Sequence, residues 1–463
     1  MKRVLILVDN SRRDLLPSEL LKVKFEQNGT IVDFCNKRNY KIKIREFCPD
    51  AFLVSRGDLP FLAQISRVCK VYVVPAEGAR LTPETMKSVF LGRIHNGKQL
   101  DQTGEVIEGF DHISKVYLWG DRTRRFLLST EMFKEEQLKV AGNGRLDVYR
   151  KNEQKKMHND FTIGIAFSIK SLSSFEGNVN YLKIIHGFFD EAKSGRFPMV
   201  PEGRHYEDYV WRDFAIARQM LAVILTIMST TNYKIRFRVG PFENINDYKF
   251  LHELYPDRIF IQDQSEQLID FLEQIDLMLT CWSSTGLESV LMNVPVIAIP
   301  YLIEKEHLFA HIAPEANGFD TFLRIYYTPE SIEEVMKLIE QQKSKQLPLV
   351  PDIEFYNEFL RDIYNWPTQV STTTFIVDDV LKDLENTQTM ADIKTMKFSP
   401  KIEKILSLIP LPDRYSVKFL RVLNDIKFFI ADIKSGKYIS SKMHHELSNS
   451  EVSKLVESVK NYL

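Results

Sequence analysis

The chain has 463 residues, of which 44% are hydrophobic and 27% charged, and its formal net charge is -1. This length exceeds one ordinary core and predicts two domains with some residues left over. The balanced charge gives no general attraction to nucleic acid, so no nucleic-acid partner is expected. The cysteines are widely spaced and predict neither a disulfide framework nor a zinc site, which favours the cytoplasm.

The N-terminal apolar run, Val4–Val8, is too short for a secretion signal and predicts a first strand. No stretch of the sequence is expected to supply the roughly 20 apolar residues of a membrane span. The protein is therefore expected to be soluble and cytoplasmic.

Short apolar runs alternate with amphipathic stretches in the first third of the chain, which predicts a parallel sheet wrapped by helices. We interpret residues 1–150 as a Rossmann-like domain on the acceptor side. The runs are Val4–Val8, Leu20–Phe25, Ile31–Phe34, Ala51–Val54, Phe61–Val68, Val71–Val74, Ser114–Trp119 and Leu138–Ala141.

A polar, charged segment from Arg150 to Asp160 marks the expected domain boundary. The alternation then resumes, and residues 160–345 are interpreted as a second Rossmann-like domain that binds a nucleotide-sugar. Two such halves in series predict a cleft between them. The predicted strands are Phe161–Phe167, Tyr233–Val239, Arg258–Ile261, Leu277–Cys281 and Val296–Ile299.

Residues 346–463 are expected to form a helical C-terminal region. From about Lys397 onward, basic and apolar residues mix in a pattern that leaves two interpretations open. In the preferred interpretation, the segment is a helical appendage that packs on the body of the protein or on a second subunit. In the other interpretation, it makes a peripheral contact with the inner membrane.

A turn rich in small residues follows a strand of the second half. It contains Ser283, Ser284, Thr285 and Gly286, and a helix with Glu288 in its first turn begins at once. Such a turn exposes hydroxyls, backbone N–H groups and the positive end of a helix, which suits a phosphate. Glu288 is placed to accept hydrogen bonds from ribose hydroxyls; in the alternative, Thr285 and Glu288 only cap the helix.

The segment from Cys281 to Pro300 resembles the donor-binding signature of bacterial surface carbohydrate biosynthesis proteins. This GT-B group includes β-Kdo transferases and is similar in this segment to glycerophosphotransferases of teichoic acid synthesis. Three further segments resemble motifs of the group in the same order: Val74–Gly78, Val116–Gly120 and Val140–Asp147. The resemblance covers residues 1–345 and implies an α/β protein of the GT-B type, with two Rossmann-like domains, a nucleotide-sugar donor and a glycan or glycolipid acceptor.

One segment departs from the pattern of the group. Where members commonly carry an Arg-Pro-His-Pro-x-Glu run, this chain has Arg238, Gly240 and Glu243, with the glycine in place of the histidine. The resemblance therefore implies that Arg238 and Glu243 bind the donor, with the Arg238 guanidinium paired to its oxyanions. In the alternative, Arg238 is a strand-end side chain facing water.

The catalytic group is expected among the carboxylates of the first domain. Gly142 and Asn143 open a tight loop from which Arg145 and Asp147 are expected to project near the cleft. Sugar transfer needs a carboxylate as nucleophile or base. Asp147 is our first choice and Glu77 the second, although either could instead bind the backbone of its own loop.

Neither a metal ion nor a separate cofactor is expected. His307 and His311 lie one helical turn apart, but no zinc-protease pattern surrounds them, and a solvated helix face is the preferred interpretation. The sequence has no Asp-x-Asp motif, which favours a metal-independent reaction.

The leading hypothesis is a glycosyltransferase that moves a sugar from a nucleotide-activated donor to a surface polysaccharide or lipopolysaccharide. The resemblance makes CMP-Kdo the first donor to test. A glycerophosphotransferase-like polymer synthesis enzyme is one alternative, and a non-catalytic GT-B scaffold for polysaccharide assembly is another. The cytoplasmic face of the inner membrane is the expected place of action.

Overall fold

The computed structural model describes residues 1–75, 109–150, 160–169, 206–303 and 318–385, except for residues 9, 10, 38, 60, 168, 241, 242, 263–265, 282 and 284 inside those ranges. A short hairpin near residue 95 is also described. The chain divides into two compact units. Among the described residues, the first unit contains those of Met1–Val148 and those from Phe359 to residue 385, and the second contains those of Tyr149–Glu358.

The strands form two parallel sheets and the hairpin. In chain order they are β1 (Arg3–Leu7), β2 (Ile31–Cys35), β3 (Ala51–Val54), β4 (Lys70–Val73), β5 (Arg93–His95), β6 (Lys98–Leu100), β7 (Lys115–Leu118), β8 (Leu138–Val140), β9 (Thr162–Ala166), β10 (Lys234–Arg238), β11 (Ile259–Ile261), β12 (Leu277–Thr280) and β13 (Val296–Ala298).

The helices alternate with these strands. In chain order they are α1 (Ser11–Gln27), α2 (Tyr40–Phe47), α3 (Leu62–Ile65), α4 (Asp121–Leu128), α5 (Tyr206–Thr230), α6 (Lys249–Leu254), α7 (Leu268–Leu272), α8 (Thr285–Leu291), α9 (Phe319–Leu323), α10 (Ile332–Lys343), α11 (Ile353–Tyr364) and α12 (Thr372–Glu385). Short 3-10 turns occur at Glu135–Gln137, Gly144–Tyr149, Ile245–Tyr248 and Pro300–Leu302.

The first domain is built on a six-stranded parallel sheet of order β2-β1-β3-β4-β7-β8. Strand β3 is buried along its whole length, as expected for a strand covered by helices on both faces. The direction in which strands are added reverses at β1, because β2 lies on one side of it and β3 on the other. This sheet therefore has a topological switch point between β1 and β3.

Helix α12 returns to the first domain from the far end of the described chain. Its buried residues Ile376, Val377, Val380 and Leu384 share a hydrophobic core with β1, β3 and α1. Two carboxylates of the same helix, Asp379 and Asp383, accept hydrogen bonds from Tyr117 and Tyr72 at the edge of this core. The sequence predicted a helical C-terminal region over residues 346–463, and in its described part α12 packs its apolar stripe against the first sheet.

The second domain has a five-stranded parallel sheet of order β11-β10-β9-β12-β13. Strand β9 pairs with β10 on one side and with β12 on the other, so the switch point lies between β9 and β12. The longest described helix, α5, covers one face with residues that include Met220, Val223 and Ile227. Helix α10 packs into the same core through Val335 and Ile339, the spacing expected from the sequence.

Within the described residues, the segment Trp211–Thr230 of α5 is long and apolar enough to cross a membrane on length and composition. The sequence was not expected to contain such a segment. In the structure, 44% of its most apolar window is buried inside the domain. Its apolar residues serve as the main helical layer on the second sheet.

The predicted fold class, an α/β protein with two Rossmann-like domains, is confirmed by the two parallel sheets with helices between their strands. The helical C-terminal segment is represented by α11 and α12. The tail from Lys397 onward lies outside the described residues. The expected cleft between the domains stays a prediction.

Candidate functional site

The small-residue turn lies at the carboxyl end of β12, next to the switch point of the second sheet. Ala166 at the end of β9 pairs with Thr280 at the end of β12, so the loops that follow both strands leave the sheet side by side. In open α/β sheets, ligands bind in the crevice at this place. This edge is therefore the candidate donor site of the second domain.

Ser283 organises the described part of the turn. Its hydroxyl accepts a hydrogen bond from the Thr285 backbone N–H at 3.2 Å, and its carbonyl accepts one from the Gly286 N–H at 3.1 Å. The hydroxyl of Tyr326 donates to the same carbonyl at 3.2 Å. A side chain at 286 would lie 2.6 Å from the Tyr326 ring, so the glycine is needed for this ring to pack under the turn. Ser284 lies outside the described residues.

Glu288 is a buried carboxylate in the first turn of α8, with 5% of its surface exposed. At the start of this helix the Thr285 backbone N–H donates a hydrogen bond to the Ser283 hydroxyl, and the alternative in which Thr285 and Glu288 only cap the helix stays a prediction. Buried carboxylates are costly unless they are satisfied by hydrogen bonds. The predicted role of Glu288 in ribose binding stays a prediction.

Arg238, predicted to bind a donor oxyanion, lies at the end of β10. Its Nη1 donates to Gln262 Oε1 at 2.6 Å and to the Glu266 carbonyl at 3.3 Å. The guanidinium also lies 5.9 Å from the centre of the Phe271 ring. These contacts are to the β11 and α7 side of β10, whereas the switch point lies on its β9 side.

Glu243, also predicted to bind the donor, is 1% exposed and binds the protein's own backbone. Its Oε1 accepts a hydrogen bond from the Ile169 N–H at 2.6 Å, and its Oε2 accepts from the Gly240 N–H at 3.2 Å and the Tyr248 hydroxyl at 2.7 Å. Burial and the adjacent Glu243 charge raise the pKa of Tyr248, so this phenol keeps its proton and donates. Glu243 therefore connects Ile169, after β9, to Gly240, after β10, through hydrogen bonds to its carboxylate.

The first sheet has a pocket at its own carboxyl edge, close to the switch point between β1 and β3. Helices α1 and α12 supply further walls. Asp14, Ser18 and Asn143 are buried polar residues of this lining. Ser55 and Arg145 also line this pocket. A few convergent polar groups on an apolar wall are typical of a small-ligand site.

The predicted acceptor-side loop contributes to this pocket through Gly142, Asn143 and Arg145. Gly142 has a φ of 101° and carries no side chain against α12. The Asn143 side-chain oxygen accepts a hydrogen bond from the Arg145 N–H at 3.0 Å. The structure therefore places these three residues at the edge of the first sheet, and their role on the acceptor side stays a prediction.

Asp147, the preferred catalytic candidate, is directed to the N-terminus of α12. Its carboxylate accepts hydrogen bonds from the backbone N–H groups of Thr372 at 3.0 Å and Thr373 at 2.7 Å, and from the Thr373 hydroxyl at 2.7 Å. An acid that caps a helix in this way is stabilising. The backbone that Asp147 binds therefore belongs to α12 and not to its own loop, as the alternative had it, and its catalytic role stays a prediction.

Glu77, the second catalytic candidate, lies outside the described residues, as do His307 and His311. Asp14 was not singled out in the sequence, although it is the acidic residue in the first turn of α1. The signal that could have identified Asp14 is its position in the sequence, because it is an acidic residue shortly after the first strand of a Rossmann-like domain. In the described part of the chain, no group of three or more His, Cys, Asp or Glu side chains could hold a metal ion.

Of the comparisons with known proteins, only the one with solved structures finds similar proteins. No protein-family model matches the sequence, and no curated protein sequence matches it. A UDP-GlcNAc 2-epimerase from Methanocaldococcus jannaschii, solved with UDP-GlcNAc and UDP, shares 13% identity with a TM-score of 0.44; the match covers 82% of this chain and 100% of that one.

Two further structures are similar at the same level. A UDP-GlcNAc 2-epimerase from Neisseria meningitidis, bound to UDP-GlcNAc, shares 12% identity with a TM-score of 0.45, over 82% of this chain and 100% of that one. A variant of the wall teichoic acid polymerase TagF shares 12% identity with a TM-score of 0.48, over 83% of this chain and 89% of that one.

Proposed function

We propose that the protein is a glycosyltransferase that takes a sugar from a nucleotide-activated donor and adds it to a surface polysaccharide or lipopolysaccharide. The observation that carries this proposal is the position of the Ser283–Gly286 turn. It follows β12 directly, at the switch point of the second sheet, where open α/β sheets bind nucleotides.

The second domain would bind the donor. In this proposal Ser283 and the residues that follow it bind a phosphate, and Glu288 accepts hydrogen bonds from the ribose. The sequence resemblance makes a CMP-linked sugar, CMP-Kdo first, the donor to test. The nucleotide-sugar is a substrate, and we propose a reaction that needs neither metal nor cofactor.

The pocket of the first domain would bind the acceptor. Asp14, Ser18, Ser55, Asn143 and Arg145 line it, and hydroxyl, amide and charged groups of this kind make hydrogen bonds to sugar hydroxyls. A glycan or glycolipid acceptor is consistent with such a lining. We further propose that the protein works in the cytoplasm, at the cytoplasmic face of the inner membrane.

Nucleotide binding tests the proposal. The purified chain is mixed with CMP, UDP and GDP and with CMP-, UDP- and GDP-sugars, and its unfolding temperature is measured, because a ligand that binds the folded state raises it. We expect at least one nucleotide to raise the midpoint and its sugar conjugate to be consumed when a polysaccharide extract is added. A chain that binds no nucleotide would contradict the proposal, whereas binding without consumption would favour a non-catalytic scaffold.

A further inference from the structure

Helix α5 exposes a row of large apolar side chains on the side opposite its buried residues. Trp211 is 54% exposed, Phe214 53% and Leu225 48%, and Arg218 is exposed between them. Their spacings of three, four and seven residues place all four on one face of the helix. We call these four residues the α5 stripe. A contiguous apolar surface of this kind marks an interaction site.

The aromatic end of the stripe forms one continuous surface. The rings of Trp211 and Phe214 meet edge to face, with their centroids 6.3 Å apart and their planes at 87°. Both rings are about half exposed to water. Tryptophan is favoured at the boundary between a membrane and water, because its ring is apolar and its N–H is polar.

The charge on this side of the helix is basic. Asp213 is the one acidic residue of the described segment Trp211–Thr230; it is 2% exposed, and Arg212 binds it. The solvent-facing positions of the segment therefore contain Arg218 and no carboxylate. An arginine at such a position can lay its aliphatic part on apolar surface and keep its guanidinium among anionic head groups.

A membrane-spanning helix does not fit this arrangement. Of the most apolar window of α5, 44% is buried inside the second domain, and Met220, Val223 and Ile227 belong to its core. The helix could cross a bilayer only if it left the second sheet. It can lie on a bilayer with its core contacts intact, because the stripe is on the opposite face.

A second copy of this chain fits the stripe less well than a lipid surface does. In a two-fold symmetric dimer, the same patch of both copies meets. Arg218 lies equally far from Trp211 and Leu225 in the sequence. Two stripes packed along their whole length would therefore bring the two Arg218 side chains together, and like charges repel.

We propose that the α5 stripe docks the protein on an anionic phospholipid bilayer. Trp211, Phe214 and Leu225 enter the interface, and Arg218 pairs with phosphate groups of the lipids. The helix lies in the plane of the interface, with its apolar face inserted about 5–10 Å. This inference goes beyond the proposed transfer reaction, since docking needs neither nucleotide nor acceptor.

Vesicle binding tests the proposal. The full chain is sedimented with phosphatidylcholine vesicles that contain or lack phosphatidylglycerol, in the absence of nucleotide. We expect binding to the anionic vesicles that weakens as salt is added. The double substitution Trp211→Ser with Phe214→Ser should weaken it about tenfold. The matched control is Phe250→Ser with Leu254→Ser, an exposed pair on α6, which should bind as the parent does.

The charge is tested separately. Arg218→Gln should weaken binding to anionic vesicles about fivefold, the contribution of one basic residue near a charged membrane. Lys249→Gln, an exposed basic residue of α6, removes the same charge elsewhere and should have little effect. Equal losses in the two variants would show that the net charge of the protein, and not the stripe, attracts the lipid, and would overturn the proposal.

Brominated lipids show which side chain enters the bilayer, because bromine quenches nearby tryptophan fluorescence. The chain has four tryptophans, and we expect Trp211 to supply the quenched signal. Trp211→Phe should keep vesicle binding and lose the quenching. Quenching that persists in this variant would overturn the proposal, as would a parent that does not bind anionic vesicles. So would a dimer, detected by light scattering, that Trp211→Ser with Phe214→Ser dissociates. Each of these outcomes leaves the nucleotide test of the transferase unaffected.

Discussion

Asp147 and Thr373 are joined by two hydrogen bonds at the start of α12, one from the Thr373 backbone N–H and one from its hydroxyl, both 2.7 Å long and both to Asp147 Oδ2. The pair links the loop after β8 to the first turn of α12, with 226 positions of the chain between the two residues. Asp147 is therefore expected to contribute to the stability of the folded protein.

Asp147→Ala is predicted to lower the free energy of unfolding by about 2–3 kcal/mol, because it removes a helix cap and leaves buried N–H groups without an acceptor. Urea unfolding measures the loss. Nucleotide affinity should not change, since the second domain carries the proposed donor site. Asp147→Asn keeps one acceptor oxygen and should lose less. If Asp147→Asn were as stable as the parent yet failed to transfer sugar, the catalytic role expected from the sequence would regain support.

Gly142→Ala is predicted to destabilise the first domain more than Gly29→Ala does. Both glycines have positive φ, 101° and 74°, so alanine is strained at either position. At 142 the new Cβ would also lie 2.6 Å from Thr372 Oγ1, whereas nothing lies within 4 Å at 29. We expect a loss of about 1 kcal/mol at 29 and at least 1 kcal/mol more at 142. Thermal unfolding of the two variants makes the comparison, and equal losses would mean that the loop moves away from α12 at little cost.

Glu288→Gln is predicted to weaken nucleotide binding about tenfold by replacing a charged hydrogen-bond acceptor with a neutral one. Glutamine is the appropriate substitution because Glu288 is 5% exposed, and alanine would add the cost of a cavity. Calorimetry with the nucleotide that binds the parent gives the affinity, and circular dichroism checks the fold. An unchanged affinity would reduce Glu288 to a structural residue of α8.

The contact of α12 with β4 is predicted to weaken in acid. Burial alone would raise the pKa of Asp383, but hydrogen bonds from Tyr72 and Lys70 and the Lys115 charge outweigh it and lower this pKa. Because the folded-state pKa lies below the unfolded one, this stabilisation is complete above the unfolded pKa of about 3.9 and is lost as the pH falls through the folded value.

Asp383→Asn tests that prediction. The parent should be more stable than the variant by about 1–2 kcal/mol at neutral pH, given partly exposed partners. The difference should shrink below about pH 4. Chemical unfolding across the pH range measures it. A difference that stays constant into strong acid would show that the Asp383 charge is not what holds the helix.

Much of the fold could be predicted from the sequence, because buried parallel strands have a local signature. The runs Ala51–Val54 and Leu277–Cys281 are almost wholly apolar and became β3 and β12, since helices cover both faces of such strands. The small-residue turn after β12 was located for the same reason. Ser283 and Gly286, the first and last residues of this turn, follow the strand within a few positions, as the apolar run predicts.

The tasks of individual polar side chains were decided by tertiary structure. The sequence placed Asp147 and Glu243 near ligand sites, but which groups their carboxylates meet depends on Thr373 and Ile169, which lie 226 and 74 positions away. Local pattern determines which face of a strand or helix is apolar, whereas a hydrogen bond between distant segments forms only when packing brings their loops together. The alternation of elements was therefore readable from the chain, and the choice between binding a ligand and binding the backbone was not.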